Sequence, residues 1–220
     1  MNHSHIKKKI LIFVPSYNVE KKIYSVISRI PDFIFKNDDI KLLIINDCST
    51  DKTVQEIERI KKDFNYNIEV SNSESNLGYG GVQKYAYQYS IDNQFDYLIM
   101  LHGDGQYAPE ELPNFIKKFD DKNLDGVFGS RMKSYKSALK GGMPVYKFLG
   151  NIALTFIQNL ILSSKMSEFH SGYRSFKVDS LKIIEFKSKA NYYHFDTEII
   201  IEMLKKKTKN IRNSYSHSLW

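Results

Sequence analysis

Residues 97–106 read Tyr-Leu-Ile-Met-Leu-His-Gly-Asp-Gly-Gln. Tyr97–Leu101 shows no polar alternation, which describes a strand buried on both faces, the habit of a parallel sheet covered by helices. An acid follows within three residues, and a carboxylate leaving an apolar strand is costly unless it finds a partner. A divalent cation is one such partner. Asp104 and Gln106 supply oxygen donors suited to Mg²⁺ or Mn²⁺, ions that usually complete their shell with substrate phosphates. If the backbone stays extended, Asp104 and Gln106 point the same way and His102 shares their side. The alternative is a turn feeding a helix that starts at Pro109.

Working outward, apolar runs alternate with helix-like stretches. Ile10–Val14, Leu42–Ile45 and Ile68–Val70 read as strands. Between them lie a helix over Glu20–Ile30, stopped by Pro31, and one over Asp51–Lys62, for which Ser49, Thr50 and Asp51 are all good caps. Gly81–Ile91 is a third helix after a glycine-rich turn. Downstream, a helix from Pro109 to about Phe119 leads to a fifth strand over Gly126–Gly129. Lys133–Pro144 then reads as a polar loop, Val145–Leu162 as a long amphipathic helix, Tyr173–Val178 as a strand and Phe195–Lys206 as a helix. Such alternation predicts a single α/β domain over residues 1–220, a mostly parallel central sheet flanked by helices with right-handed crossovers. Ligands of such sheets bind beyond the carboxyl ends of the strands. Function is therefore expected in the segments that follow strands: PSYN, NDCSTD, NLGYGG, HGDGQ and GSRM.

With 42% hydrophobic and 26% charged residues, a chain of 220 residues can bury a sizeable core and is neither disordered nor fibrous in class. Its single cysteine, Cys48, can form no intramolecular disulfide, which fits a reducing compartment. The start, MNHSHIKKKILIFV, runs straight into Pro15-Ser16-Tyr17-Asn18 without a small-residue cleavage site, so it reads as a first strand and not a signal peptide. No run approaches the roughly 18 apolar residues of a membrane span. Ile152–Leu162 comes nearest and is interrupted by Thr155, Gln158 and Asn159. The formal charge is +7, with basic clusters at Lys7–Lys9, Arg131–Lys147 and Lys205–Arg212. These mark either a solvated surface or attraction to an anion: a nucleotide diphosphate, a lipid phosphate or an acidic membrane face. No nucleic-acid partner is expected, because no recognition helix or stacking-sheet motif occurs.

Two further segments carry candidates. Asp47, at the tip of the second strand, is either a helix cap or an acceptor for a nucleobase N–H; three other caps follow it, so the ligand role is preferred. Asn76-Leu77-Gly78-Tyr79-Gly80-Gly81 opens a helix. Its glycines permit close backbone approach, and a helix amino terminus favours anions, although a simple turn is the alternative.

Together the segments resemble glycosyltransferase family 2, with its GT-A fold and Rossmann-like nucleotide-binding half, and within it the dolichol- and polyprenyl-phosphate mannose synthase-like sugar transferases. The resemblance runs from Lys9 to about Arg212, leaving 213–220 unplaced. VPSYN is similar to the family's nucleotide-binding opening, which implies donor contacts at Pro15, Tyr17, Asn18 and Glu20. INDCSTD resembles the segment that implies a base contact at Asp47, and NLGYGG the one that implies donor contacts at Asn76, Gly78 and Gly80. LHGDGQYAPE resembles the metal site, with Asp104 and Gln106 in place and His102 standing where the first acid of the D-x-D pair belongs. GSRM, HSGYRSF and YHFDTE complete the order. Asn46 replaces the first acid of the family's D-D pair, and Val19 stands where a Glu often follows Tyr-Asn, with Glu20 one place later. The carboxyl end departs too, since the family normally continues with a further strand.

These features imply an inverting displacement at the anomeric carbon of a UDP- or GDP-sugar, with Mg²⁺ or Mn²⁺ at Asp104, Gln106 and His102. Arg131 and Arg174 would pair with phosphate in forked geometry. The expected acceptor is a polyprenyl phosphate, an anionic nucleophile that needs no base. A polysaccharide or glycolipid hydroxyl would need one, and Asp196 and Glu198 are the candidates, unless they merely complement a helix amino terminus. A nucleotide-sugar-binding relative without activity is the remaining alternative. The stripe Leu149, Ile152, Ala153, Phe156, Ile157, Leu160 and Ile161 reads as a core face, with a membrane-surface helix as the alternative. The expected location is the cytoplasm, peripheral at the inner face of a membrane.

Overall fold

A computed structural model describes residues 7–121, 124–130, 145–169, 171–206 and 211–215. Three parallel strands open the sheet: β1 (Lys9–Ser16), β2 (Asp39–Asn46) and β3 (Ile68–Asn72). The helices between and after them are α1 (Ile23–Ser28), the short α2 (Ile34–Asn37), α3 (Thr53–Asp63) and α4 (Gly78–Asp92). β4 (Tyr97–Met100) pairs in parallel with the other edge of β1. Beyond it come a 3₁₀ turn (Pro109–Glu111), α5 (Leu112–Lys118), β5 (Gly126–Ser130), α6 (Val145–Leu162), β6 (Arg174–Lys177), α7 (Val178–Lys182), α8 (Phe195–Lys205) and β7 (Ile211–Tyr215). Among the described residues seven strands lie in the order β3-β2-β1-β4-β6-β5-β7, with β6 antiparallel to both neighbours. The expected mostly parallel α/β sheet is the one observed.

Both faces of the sheet are covered, which is why β1 lacks alternation: Ile10 through Val14 are all 0% exposed. Ile10, Ile12 and Val14 pack with α1, α3 and α5, whereas Leu11 and Phe13 pack with α4, α7 and α8. Burying each such side chain is worth about 1.5–3 kcal/mol, so these five residues anchor the sheet.

Sequence reasoning errs in three places. The helix expected over Glu20–Ile30 is confined to Ile23–Ser28, because the side chain and backbone of Glu20 are tied to the 51–52 loop instead. The tail left unplaced after residue 212 begins inside a strand, since β7 lies in parallel register with β5 from Gly126↔Ile211 to Ser130↔Tyr215. The Val145–Leu162 helix forms where expected, yet its apolar stripe is no core face: Leu149, Phe156, Leu160 and Ile161 are exposed. The expected loop Lys133–Pro144 lies outside the described residues.

The strand order reverses at β1, which has β2 on one side and β4 on the other. Crevices form at such points beyond the carboxyl ends of strands. Register brings the tips together: Ser16 sits opposite Asn46, and Phe13 opposite Met100.

Candidate active site

A cleft of about 620 Å³ opens at this switch point, a volume suited to a nucleotide-sized ligand. β1 contributes Pro15 and Ser16, followed by Tyr17; β2 contributes Asp47 from just past its end; β4 leads to His102, Gly103, Asp104 and Gln106. The opening of α4 adds Asn76, Gly78 and Tyr79, and the far wall comes from Gly172, Tyr192, Tyr193 and Asp196.

The floor is built by chain crossings between strand tips. The Asp47 backbone N–H donates to the Ser16 carbonyl at 2.9 Å. The Asp47 carboxylate accepts from the backbone N–H of Leu77 at 2.7 Å and of Gly78 at 3.0 Å, and the Asn76 side-chain amide donates to the Asp47 carbonyl at 3.2 Å. Asp47 therefore caps α4, an element thirty residues away, while still lining the cleft. The anion at this helix amino terminus is the protein's own carboxylate, so the Leu77 and Gly78 amides there are already engaged. Gly78, at φ +75°, takes a backbone conformation that favours glycine.

Three of the expected donor-binding residues serve behind the cleft and do not line it. Asn18, at φ 52°, accepts from the backbone N–H and the hydroxyl of Thr50 at 2.8 and 3.3 Å, clamping the loop after β1 to the loop after β2. Glu20 accepts from the Lys52 backbone N–H at 2.9 Å. Gly80 meets the 190–191 segment: its N–H donates to the Asn191 carbonyl at 2.8 Å, and a Cβ there would stand 2.5 Å from the Ala190 carbonyl oxygen. Pro15, Tyr17, Asp47, Asn76 and Gly78 line the cleft as expected.

The segment after β4 turns at once and does not run on extended. Gly105 has φ +76°, and the Gln106 N–H donates back to the Asp104 carboxylate at 3.0 Å. The premise of an extended backbone fails, yet His102, Asp104 and Gln106 all line the cleft. His102 is partly buried, with Nε2 3.1 Å from the Gly172 carbonyl oxygen. A carbonyl only accepts, so Nε2 carries the proton; burial holds the imidazole's pKa below its ordinary value, against the pull of Asp104 and Asp196. The neutral ring keeps an unprotonated Nδ1. Among the described residues no group of three His, Cys, Asp or Glu forms a complete metal cage. One carboxylate, one amide and an imidazole facing a cleft nevertheless fit a hard or borderline ion whose other ligands are phosphate oxygens.

On the far wall, Asp196 is nearly buried and fully engaged. Tyr79 Oη donates to it at 2.8 Å and Gln83 Nε2 at 2.9 Å, and an Arg174 Nη stands 3.5 Å away. Desolvation first, then the Asp196 charge, pushes the Tyr79 hydroxyl well above its ordinary pKa, so it remains a donor. Arg174, 1% exposed, also donates to the carbonyls of Ser171, Phe169 and Asp196 at 2.7–2.9 Å. It cannot act as the phosphate ligand expected of it: its guanidinium is sealed inside the wall. Glu198 is not beside Asp196 either. Residues two apart on a helix face different ways, and Glu198 turns from the cleft to accept from the Ala190 N–H at 2.9 Å. Arg131 lies outside the described residues.

Sequence reasoning missed the tyrosines. Tyr79 lies 5.2 Å from Tyr193 and 5.9 Å from His102 between ring centroids, and Tyr107 lies 4.9 Å from His102. Abundance of Tyr was the only sequence signal. Tyr192 and Tyr193 sit on an irregular segment, where no periodicity shows which way a side chain points.

Residues 11–184 match the model of Glycosyl transferase family 2. The chain belongs to glycosyl transferase family 2. Among its relatives, it is 29% identical over 215 residues to the UDP-N-acetylglucosamine–dolichyl-phosphate N-acetylglucosaminyltransferase of Methanococcus voltae, covering 93% of this chain and 83% of that one. It is 23% identical over 182 residues to the undecaprenyl-phosphate mannosyltransferase of Micrococcus luteus, covering 80% and 70% respectively. In structure it resembles glucosyl-3-phosphoglycerate synthase from Mycobacterium tuberculosis, solved with Mn²⁺, uridine diphosphate and phosphoglyceric acid, with a TM-score of 0.65 over 94% of this chain and 68% of that one at 14% identity. The sheet of this family 2 member is thus a GT-A sheet, and the chain is a nucleotide-sugar-dependent glycosyltransferase.

Proposed function

We propose that this family 2 enzyme transfers a sugar from a nucleotide-sugar donor, a UDP- or GDP-sugar, to the phosphate of a polyprenyl phosphate. The supporting observation is that two of the three carboxylates lining the cleft are each held by several partners, while the third, Asp104, is assigned here to the cation. Among the described residues these are Asp47, bound to two backbone amides, Asp196, bound to Tyr79, Gln83 and Arg174, and Asp104 at the strand tip. A sugar hydroxyl needs a base within hydrogen-bond reach, whereas a phosphate is an anionic nucleophile at neutral pH. The relatives named for dolichyl-phosphate and undecaprenyl-phosphate transfer agree with that choice.

In this reading the donor base lies between Pro15, Tyr17 and Asp47, and the diphosphate extends toward Asp104. An oxygen of the acceptor phosphate forms a bond to the anomeric carbon from the face opposite the diphosphate. The glycosidic C–O bond breaks, and the nucleoside diphosphate leaves with the electron pair, inverting the centre. Asp104, with Gln106 and His102, would hold a divalent cation, Mg²⁺ or Mn²⁺, which when bound offsets charge on the leaving diphosphate. The aromatic wall of Tyr79, Tyr107 and Tyr193 narrows the cleft and excludes water from the donor sugar. Arg131, which follows Ser130 in sequence, is the further candidate for a phosphate contact. An acceptor of this kind places the reaction at a membrane surface, on the cytoplasmic side where nucleotide sugars are supplied.

The test is transfer of radiolabelled sugar from UDP- and GDP-sugars with Mn²⁺ to undecaprenyl phosphate and, separately, to saccharide acceptors. Asp104→Ala should lower transfer to lipid phosphate by about 10³-fold with an unchanged melting temperature. Asp196→Asn, assayed where melting curves show it folded, should lower it by less than about tenfold, because no base is lost. Transfer to saccharides alone, or wild-type inactivity with every donor, would overturn the reading.

A further inference from the structure

We infer that α6 is a membrane-seating helix that lies in the surface of an anionic bilayer with its apolar half immersed. The helix is built inside out. Its polar residues face the protein: Thr155 is 7% exposed and donates to Asn151, whose amide donates to the buried Glu168 at 3.1 Å. Asn159 donates to the Met166 carbonyl at 2.7 Å and accepts from the Met166 N–H at 2.8 Å. Its apolar residues face outward instead. Phe156, Leu160 and Ile161 are 69%, 72% and 74% exposed, and Leu149, Leu154 and Ile157 are at least half exposed.

These outward residues fall on three adjacent rows of four-residue spacing, so the apolar face spans about half the circumference and runs about 18 Å along the helix. No charge interrupts those rows. A stripe that faces a single partner helix is narrower, whereas immersion in the headgroup–acyl boundary wets half a helix at once. No helix among the described residues is long and apolar enough to cross a membrane, so α6 would lie on the bilayer and not span it.

Charge selects among the occupants of such a face. From Arg131 to Ser167 the sequence contains no acidic residue and six cations: Arg131, Lys133, Lys136, Lys140, Lys147 and Lys165. A second copy of this chain offers this acid-free stretch of sequence only like charges, which disfavours self-association through it. Anionic lipid headgroups would attract them, while the apolar rows enter the layer beneath. The chain leaving α6 reaches Gly172, which lines the cleft, within ten residues. Seating α6 on the bilayer thus keeps the cleft near the plane in which a lipid-borne phosphate lies. The assignment rests on the polyprenyl-phosphate reading for its purpose, though not for its physics.

The experiment is flotation of the full chain with vesicles of phosphatidylcholine alone or mixed with phosphatidylglycerol, at low and high salt. The wild type should float with the anionic vesicles, and less so in high salt. Leu160→Glu with Ile161→Glu should lower vesicle partition by about tenfold or more, with melting temperature and nucleotide binding unchanged. Ile183→Glu, which removes an exposed apolar side chain on another element, should change nothing. The inference fails if the wild type does not float, if the double variant floats like the wild type, or if α6 instead holds a dimer that the double variant dissociates. Transfer to detergent-dispersed polyprenyl phosphate without flotation would sink this inference alone. Flotation without any such transfer would sink the functional reading and leave the helix assignment standing.

Discussion

The two walls of the cleft are held by different means. The wall from β1, β2 and β4 is a set of loops that bind one another through side chain to backbone bonds: Asn18 to Thr50, Asp51 to Glu20 and Thr53, Asp47 to Leu77 and Gly78. Each bond is partly exposed or exposed, and apart from those of Asp47, which is 4% exposed, each could be lost without leaving a buried charge unpaired. The opposite wall is carried by one buried ion pair and its neighbours, Arg174 with Asp196, Tyr79 and Gln83. The difference teaches where each wall is vulnerable. Many weak ties degrade gradually, whereas a buried charge pair fails at once because its surviving partner has no water to turn to.

Breaking the far wall gives the largest stability effect. Arg174→Ala would leave the Asp196 carboxylate buried beside Tyr79 and remove donors from three carbonyls, so urea unfolding should show a loss of about 3–5 kcal/mol. If Arg174 were instead a phosphate ligand, the variant would keep its stability and lose donor or acceptor affinity.

The seam between the walls comes next. In Gly80→Ala the new Cβ would stand 2.5 Å from the Ala190 carbonyl oxygen and 2.9 Å from Phe195 Cβ, both on the far side of the cleft. Overpacking of this kind should cost about 1–3 kcal/mol, read as a fall in melting temperature. A neutral result would mean that the 190–191 segment yields easily and that the walls are less rigidly joined than the geometry indicates.

The smallest effect is expected in the near wall. Burial opposes the charge on Asp51, but the Thr53 hydroxyl and the backbone N–H groups of Glu20 and Thr53 outweigh it and hold the carboxyl below its ordinary pKa. A depressed carboxylate adds stability above its unfolded pKa and loses it as pH falls through the folded value. Asp51→Ala should therefore cost about 1 kcal/mol at neutral pH. The gap from wild type should close below about pH 3, a convergence that melting curves at stepped pH would reveal. A gap that persists in acid would show that Asp51 acts by packing and not by charge.

The near wall was largely legible from the chain, and the far wall was not. Asp47, Asn76, Gly78, Asp104 and Gln106 all follow strands whose apolar runs are unmistakable, and the sheet fixes where strand ends point. Arg174 and Glu198 were misread because their surroundings are assembled from distant segments: whether a guanidinium meets solvent or three carbonyls depends on where residues 169, 171 and 196 arrive. Tyr79 and Tyr193 escaped notice for the same reason.

Sequence alone settled the α/β alternation, the strand tips that carry the site, and the helix over Val145–Leu162, because periodicity and local hydrogen bonding are properties of neighbours in the chain. Tertiary structure alone decided which face of that helix meets the protein, that Asp47 caps α4, and that Asp196 is held by Tyr79, Gln83 and Arg174. The reason is one of range. Burial and pairing are set by groups that lie next to each other only after folding, and a side chain's chemistry follows from those groups more than from its own identity.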